Sequence, residues 1–243
     1  MLAQSNRQQF LKNAILTGLP RPELAAISRF LVPVALKERM ILQEPKRPVK
    51  HVYFVESGIV SLRIVAAESI FETAVVGYRG VVGASFLLGG HILTQQCVVL
   101  FPGNAFRIEA DNLHSAMSEL PQLREHLSRY VQALVTHGAQ TGLCGVRHEL
   151  ERRLACWLSL TCDALNGHAL PLTHDYFSLM GLRRAGVTET LIRFEEQGLI
   201  RKTRGLLRVD DRGNLARKAC GCYGVIASAY ASVERLARAE HPG

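Results

Sequence analysis

Between Arg183 and Arg208 the chain carries seven basic residues (Arg183, Arg184, Arg193, Arg201, Lys202, Arg204 and Arg208) against three acidic ones, Glu189, Glu195 and Glu196. A guanidinium is a planar fork of donors that matches both a phosphate and the major-groove edge of guanine, so such a cluster suits the binding of a polyanion. A second chemical feature is Cys220-x-Cys222. Two thiolates fall short of a closed four-ligand metal site unless other residues join them, and the pair is read as structural, with no metal expected. The nine histidines include no H-E-x-x-H pair, and the chain has neither a G-x-S-x-G elbow nor a phosphate-binding loop of the G-x-x-x-x-G-K type. Catalysis is therefore not expected.

The basic residues need an element to present them. Thr173 can cap a short helix after Leu170-Pro171-Leu172, with Asp175 in its first turn, and Gly181 breaks that helix. A second helix resumes near Arg184, with Val187, Leu191 and Phe194 at i, i+4 and i+7 forming one apolar stripe and Gly198 supplying a stop. Arg184, Ala185, Thr188 and Glu189 fall off that stripe, where a recognition helix meets base edges. RKTRGLLRV (201–209) then reads as a hairpin wing turning around Thr203 to Gly205, from which Arg201, Lys202 and Arg204 could reach phosphates. Each of these cations taken alone is equally compatible with a solvated surface.

Upstream, residues 32 to about 108 form short apolar or alternating runs punctuated by glycine and proline, the pattern of a compact β-barrel or roll. From Pro121 to about Gly142 a long helix follows. Leu120, Leu127, Leu134 and Thr141 recur every seventh residue, interleaved by Leu123, Tyr130 and His137, which matches the seam of a dimeric coiled coil. A helix packed on its own roll would show one apolar face as well. Glu149 to Leu165 forms another amphipathic helix, so the domain boundary falls between Gly142 and Glu149. The chain has 243 residues, 48% of them hydrophobic, and carries a formal charge of +8 with a pI near 9.4. That balance suits nucleic acid, although charge alone does not separate DNA from RNA or anionic lipid. No signal-peptide pattern and no membrane-length apolar run is present, and six scattered cysteines fit a reducing compartment, so a cytoplasmic protein without membrane association is expected.

In this order the pieces resemble the Crp/Fnr family of bacterial transcription regulators. HVYFVESGIVSL and VVGYRGVVG resemble strands of that family's sensor roll, HELERRLACWL resembles the helix after its dimerisation helix, and LRRAGVTETLIRFEEQGLI resembles its recognition helix. The ACGCYG tail resembles that of a subgroup. The resemblance implies an α+β chain: a jelly-roll-like double-stranded β-helix of the cyclic-nucleotide-binding type over 1–119, a dimerisation helix over 120–144, and a winged helix-turn-helix with a helical tail over 145–243. It also implies a homodimer that reads a near-palindromic DNA site and meets RNA polymerase. Carried over by position, Arg184, Ala185 and Glu189 contact bases, and Thr173, Arg183, Thr188, Arg201, Lys202 and Arg204 contact the backbone. The first helix is one residue shorter than the family pattern, ending Leu179-Met180-Gly181, and one residue turns a helix by about 100°.

The effector positions fall on Gly83, Ala84, Thr94 and Gln95. The family's cyclic-nucleotide cassette places a glutamate on the ribose and an arginine-serine pair on the phosphate. These residues offer no cation, so cyclic AMP is not the expected ligand. An iron-sulfur cluster held by N-terminal cysteines is excluded because no cysteine precedes Cys97, whereas haem stays open. No cofactor is expected. The alternative from another class is a ligand- or redox-binding sensor whose sequence-specific DNA binding is weakened or lost, motivated by the shortened helix.

Overall fold

The computed structural model describes residues 11–66, 69–89, 92, 95–171 and 184–239. Thr94, Thr173, Arg183, the side chain of Arg184 and the Leu179-Met180-Gly181 corner lie outside the described residues. Two short helices, α1 (Ala14–Thr17) and α2 (Arg21–Ser28), lead into strands β1 (Val32–Leu36), β2 (Ile41–Gln43), β3 (His51–Ala66), β4 (Ser69–Val76) and β5 (Val81–Val82). A 3-10 turn at Ala84–Leu88 precedes β6 (Gln96–Glu109), and then come α3 (Ala110–Glu119), α4 (Pro121–Arg147) and α5 (Leu150–Leu165). The C-terminal part holds β7 (Ala169–Leu170), α6 (Arg184–Glu196), β8 (Ile200–Thr203), β9 (Leu206–Val209), α7 (Arg212–Lys218) and α8 (Gly221–Ala239). Among the described residues, no helix is long and apolar enough to cross a membrane.

The six-stranded sheet is antiparallel and built around β3 and β6. Alternation along β3 explains its apolar run Val52–Val55: Val52 and Phe54 pack under the helices, whereas Tyr53 and Val55 fill the roll interior. The register shifts between Val55 and Val60. Gly58 sits there at φ +83, and a Cβ on it would lie 2.5 Å from the Phe101 carbonyl oxygen, so glycine is required for this bend. Past the bend, Ile59 joins the core shared with the C-terminal part, and Val60 and Leu62 return to the roll.

Helix α4 starts at Pro121, and its free backbone N–H groups are met from another element. The Glu23 carboxylate of α2 accepts from Gln122 N at 3.2 Å and Leu123 N at 2.9 Å. Gly142 and Gly145 do not end the helix, which runs to Arg147. Most of the residues expected to form its seam are covered within the chain. Leu123, Leu127 and Tyr130 have no exposed surface, His137 is buried, and Leu120 and Leu134 pack partly against the same core. Tyr130 donates its hydroxyl to Val81 O at 2.9 Å, and its ring lies over Gly80, where a Cβ would be only 2.4 Å away. Thr141 is half-buried. The seven-residue repeat marks the face on which α4 meets its own roll and α8, with Leu120, Leu134 and Thr141 only partly covered. The outward face instead carries Val135, Leu143 and Val146, the last 85% exposed.

Helix α5 ties the roll to the C-terminal part. Trp157 Nε1 donates to Glu72 on β4 at 2.6 Å, and Ser61 Oγ donates to the other oxygen of that buried carboxylate. Burial pushes the Glu72 carboxyl above its usual range. Tyr78 N donates to Ala164 O at 3.2 Å, and Asp163 pairs with Arg212 while accepting from Tyr223 Oη at 3.1 Å. One core cluster consequently contains Ile59, Val75, Leu100 and Phe101 of the roll together with Leu154, Leu158, Val187, Leu191 and Phe194.

Candidate nucleic-acid interface

The stripe expected on α6 is the face that packs. Val187, Leu191 and Phe194 are buried against α5, and Gly186 permits the approach, since a Cβ there would stand 2.7 Å from Leu150 Cδ2. Gly198, at φ +69, ends the segment, with Leu199 N donating to Phe194 O at 2.9 Å. Ala185, Thr188 and Glu189 are therefore presented together on the exposed side of the helix's first two turns. This placement follows from geometry: residues off an apolar stripe lie opposite the core.

Charge on that surface is arranged in pairs. Arg193 lies 3.6 Å from Glu189 and 3.5 Å from Glu151, so Glu189 is held by a neighbour one turn away while remaining largely exposed. In the wing, Lys202 Nζ lies 3.4 Å from Glu195, whose carboxylate also accepts from Lys202 N at 2.9 Å. That backbone hydrogen bond, followed by the Lys202 charge, lowers the Glu195 carboxyl below its ordinary range. Arg201 and Arg208 share Asp210, at 3.4 and 2.6 Å. The sequence cluster of seven cations is thus partly neutralised within the fold, and both Arg201 and Lys202 already have carboxylate partners. Arg204 is exposed at the wing tip beside Gly205, whose φ of +76 makes the turn. Surface pairs of this kind are weak, about 0–1 kcal/mol, so phosphates can displace them.

The described effector positions have neighbours within the roll. A Cβ on Gly83 would meet Gln43 Nε2 at 2.8 Å, Ala84 is buried in the core under the helices, and Gln95 donates to Thr73 Oγ1 at 2.9 Å. These described positions are packed by side chains. A cavity of about 50 Å³ lies where β4, α4 and α5 meet, lined by Glu72, His137, Cys144, Arg153 and Trp157 among others. It has room for a few waters.

An antiparallel roll, a long helix packed on it and a helix-and-wing unit joined to both define a two-part architecture. The solved structures agree. FixK2 from Bradyrhizobium japonicum matches with a TM-score of 0.68 and 16% identity, over 79% of this chain and 98% of that one. A CRP/FNR-family transcriptional regulator from Thermus thermophilus matches at 0.58 and 20%, over 77% and 98%. CLP from Xanthomonas campestris, a c-di-GMP responsive global regulator, matches at 0.62 and 11%, over 78% and 99%. No protein-family profile and no curated protein matches the sequence. The chain has the fold of the Crp/Fnr transcriptional regulators, as its motifs implied.

Proposed function

We propose that the protein is a DNA-binding transcriptional regulator of the Crp/Fnr kind, acting by binding and not by catalysis. The observation that carries this reading is the exposed Ala185, Thr188 and Glu189 face on a helix whose opposite face is locked into the core. Arg184, at the start of that helix, is assigned to guanine, and Arg204 at the wing tip to a phosphate. The exposed wing is the observation against a sensor that has lost its DNA site. The test is selection of duplex DNA by the purified protein across a salt series. A near-palindromic site should be enriched, with Arg184→Ala costing about 1–3 kcal/mol of discrimination at one base pair per half-site. Arg204→Ala should weaken binding evenly across sequences and flatten the salt slope by about one. Absence of any enriched palindrome at low salt would sink the reading.

A near-palindromic site calls for a two-fold dimer. We assign its contact to the outward face of α4, where Val135, Leu143 and Val146 leave apolar surface in water. In analytical ultracentrifugation the wild-type chain should sediment as a dimer, and Val135→Glu with Leu143→Glu should give folded monomers. Unchanged dimers in that variant would place the contact elsewhere. A cytoplasmic location and contact with RNA polymerase belong to the same reading, and an unidentified signal at the β-roll or at α4 would shift the two reading heads together, provided its ligand binds the two poses unequally.

A further inference from the structure

The Cys220-x-Cys222 pair does not stand alone in the folded chain. Cys144 and His148 lie one turn apart at the C-terminal end of α4, and the turn into α8 brings Cys220 and Cys222 against them. Cys144 Sγ is 3.4 Å from Cys220 Sγ, and Cys222 Sγ is 3.6 Å from His148 Nδ1. All four donor atoms lie within 4.8 Å of one another. The three cysteines are buried and His148 is half-buried.

We propose that Cys144, His148, Cys220 and Cys222 form a Cys₃His site for one Zn²⁺ ion, which joins the start of α8 to the end of α4. Ligands at the usual zinc distances, about 2.3 Å for sulfur and 2.0–2.1 Å for nitrogen, stand about 3.5–3.8 Å apart around a tetrahedral ion. The two observed separations match those edges to within a few tenths of an ångström. Four donors this close enclose a single ion, and the thiolate-rich set selects a soft, tetrahedral one. Binding converts three thiols to thiolates and releases three protons, while the neutral imidazole ligates through Nδ1, leaving the site with one net negative charge. Arg152 and Lys218 line the adjoining surface depression of about 480 Å³, which reaches the buried Cys220 and provides a route for the metal. The small core here consists of thiols with little aliphatic packing beyond Leu160 and Ile226, so a metal crosslink would supply cohesion that the side chains lack. The proposal stands whether or not the chain binds DNA.

The test uses untagged full-length protein purified under reducing conditions, with metal content measured by mass spectrometry and zinc then exchanged for Co²⁺. The expected result is one zinc per chain and the intense visible bands of tetrahedral, thiolate-bound cobalt. Cys222→Ser and His148→Ala should weaken zinc binding at least about tenfold, since even outer-shell changes around a metal typically cost 10- to 100-fold. Cys97→Ser and Cys162→Ser, in other core clusters, should leave it unchanged. If the variants aggregate, competition between the wild-type protein and a chromophoric zinc chelator decides alone. A reduced wild-type chain that takes up neither zinc nor cobalt overturns the site, and so does a metal-free native state with a Cys144–Cys220 disulfide.

Discussion

Phe194→Ala is expected to lower the unfolding free energy of the whole chain by about 3–5 kcal/mol, in a single transition. Phe194 has no exposed surface and sits in the cluster that includes Ile59, Val75, Leu100 and Phe101 of the roll. Removing its ring leaves a cavity that the surrounding side chains close only partly, which adds to the lost transfer free energy. Because that cluster runs through α5 from the roll to the helix-and-wing unit, damage on the α6 side is felt on the sheet side. Urea unfolding followed by both tryptophan fluorescence and far-ultraviolet dichroism would check this. Trp157 reports the junction, and dichroism reports all elements. Two separated transitions, with only the first shifted by the substitution, would mean that the helix-and-wing unit unfolds independently of the roll.

Acid should weaken the docking of α8 on α4 through His137. Burial pushes the pKa of this imidazole down to about 4 from an ordinary 6.5, and its Nδ1 lies 3.1 Å from Tyr230 Oη on α8. In the tautomer protonated at Nε2 the neutral ring accepts from the tyrosine hydroxyl, and protonation of Nδ1 would remove that acceptor. The sign follows from linkage. Above pH 6.5 both folded and unfolded chains hold a neutral His137, and its contribution to stability is fully present. As pH falls from 6.5 towards 4 the unfolded chain takes up a proton that the folded chain refuses, so stability is lost, by about 3 kcal/mol in all. Glu56 and Glu72, both raised mainly by burial, contribute in the opposite direction as pH falls. The His137 share is therefore read as the difference between wild type and His137→Gln, whose stability should lack this loss between pH 7 and 4. Parallel pH profiles for the two proteins would contradict the assignment.

The helix-and-wing unit was legible in the sequence where its logic is local. The i, i+4, i+7 placement of Val187, Leu191 and Phe194 decides which side of α6 faces inward, and Ala185, Thr188 and Glu189 follow on the other side. Glycine at 198 and 205 marked the helix end and the wing turn, because both positions take positive φ. The capping assigned to Thr173 and the shortened corner at Leu179-Met180-Gly181 lie outside the described residues. The partners of Arg201 and Lys202 were not legible. Asp210 and Glu195 reach them through hairpin and helix-end geometry that composition does not encode.

What the sequence by itself determined is periodicity: which residues share a face, where helices stop and which stretches pleat. A repeat of seven residues says that α4 has an apolar stripe, and it says nothing of the surface that stripe meets. Only the tertiary structure decided that Leu123, Leu127 and Tyr130 cover the protein's own roll, leaving Val135, Leu143 and Val146 outward. It likewise brought Cys144 and His148 to Cys220 and Cys222 across more than seventy residues of chain. The physical reason is the same in both cases. Backbone geometry sets local spacing within a few residues, whereas the choice of packing partner is settled by the collective burial of distant apolar surface, which no short window of sequence contains.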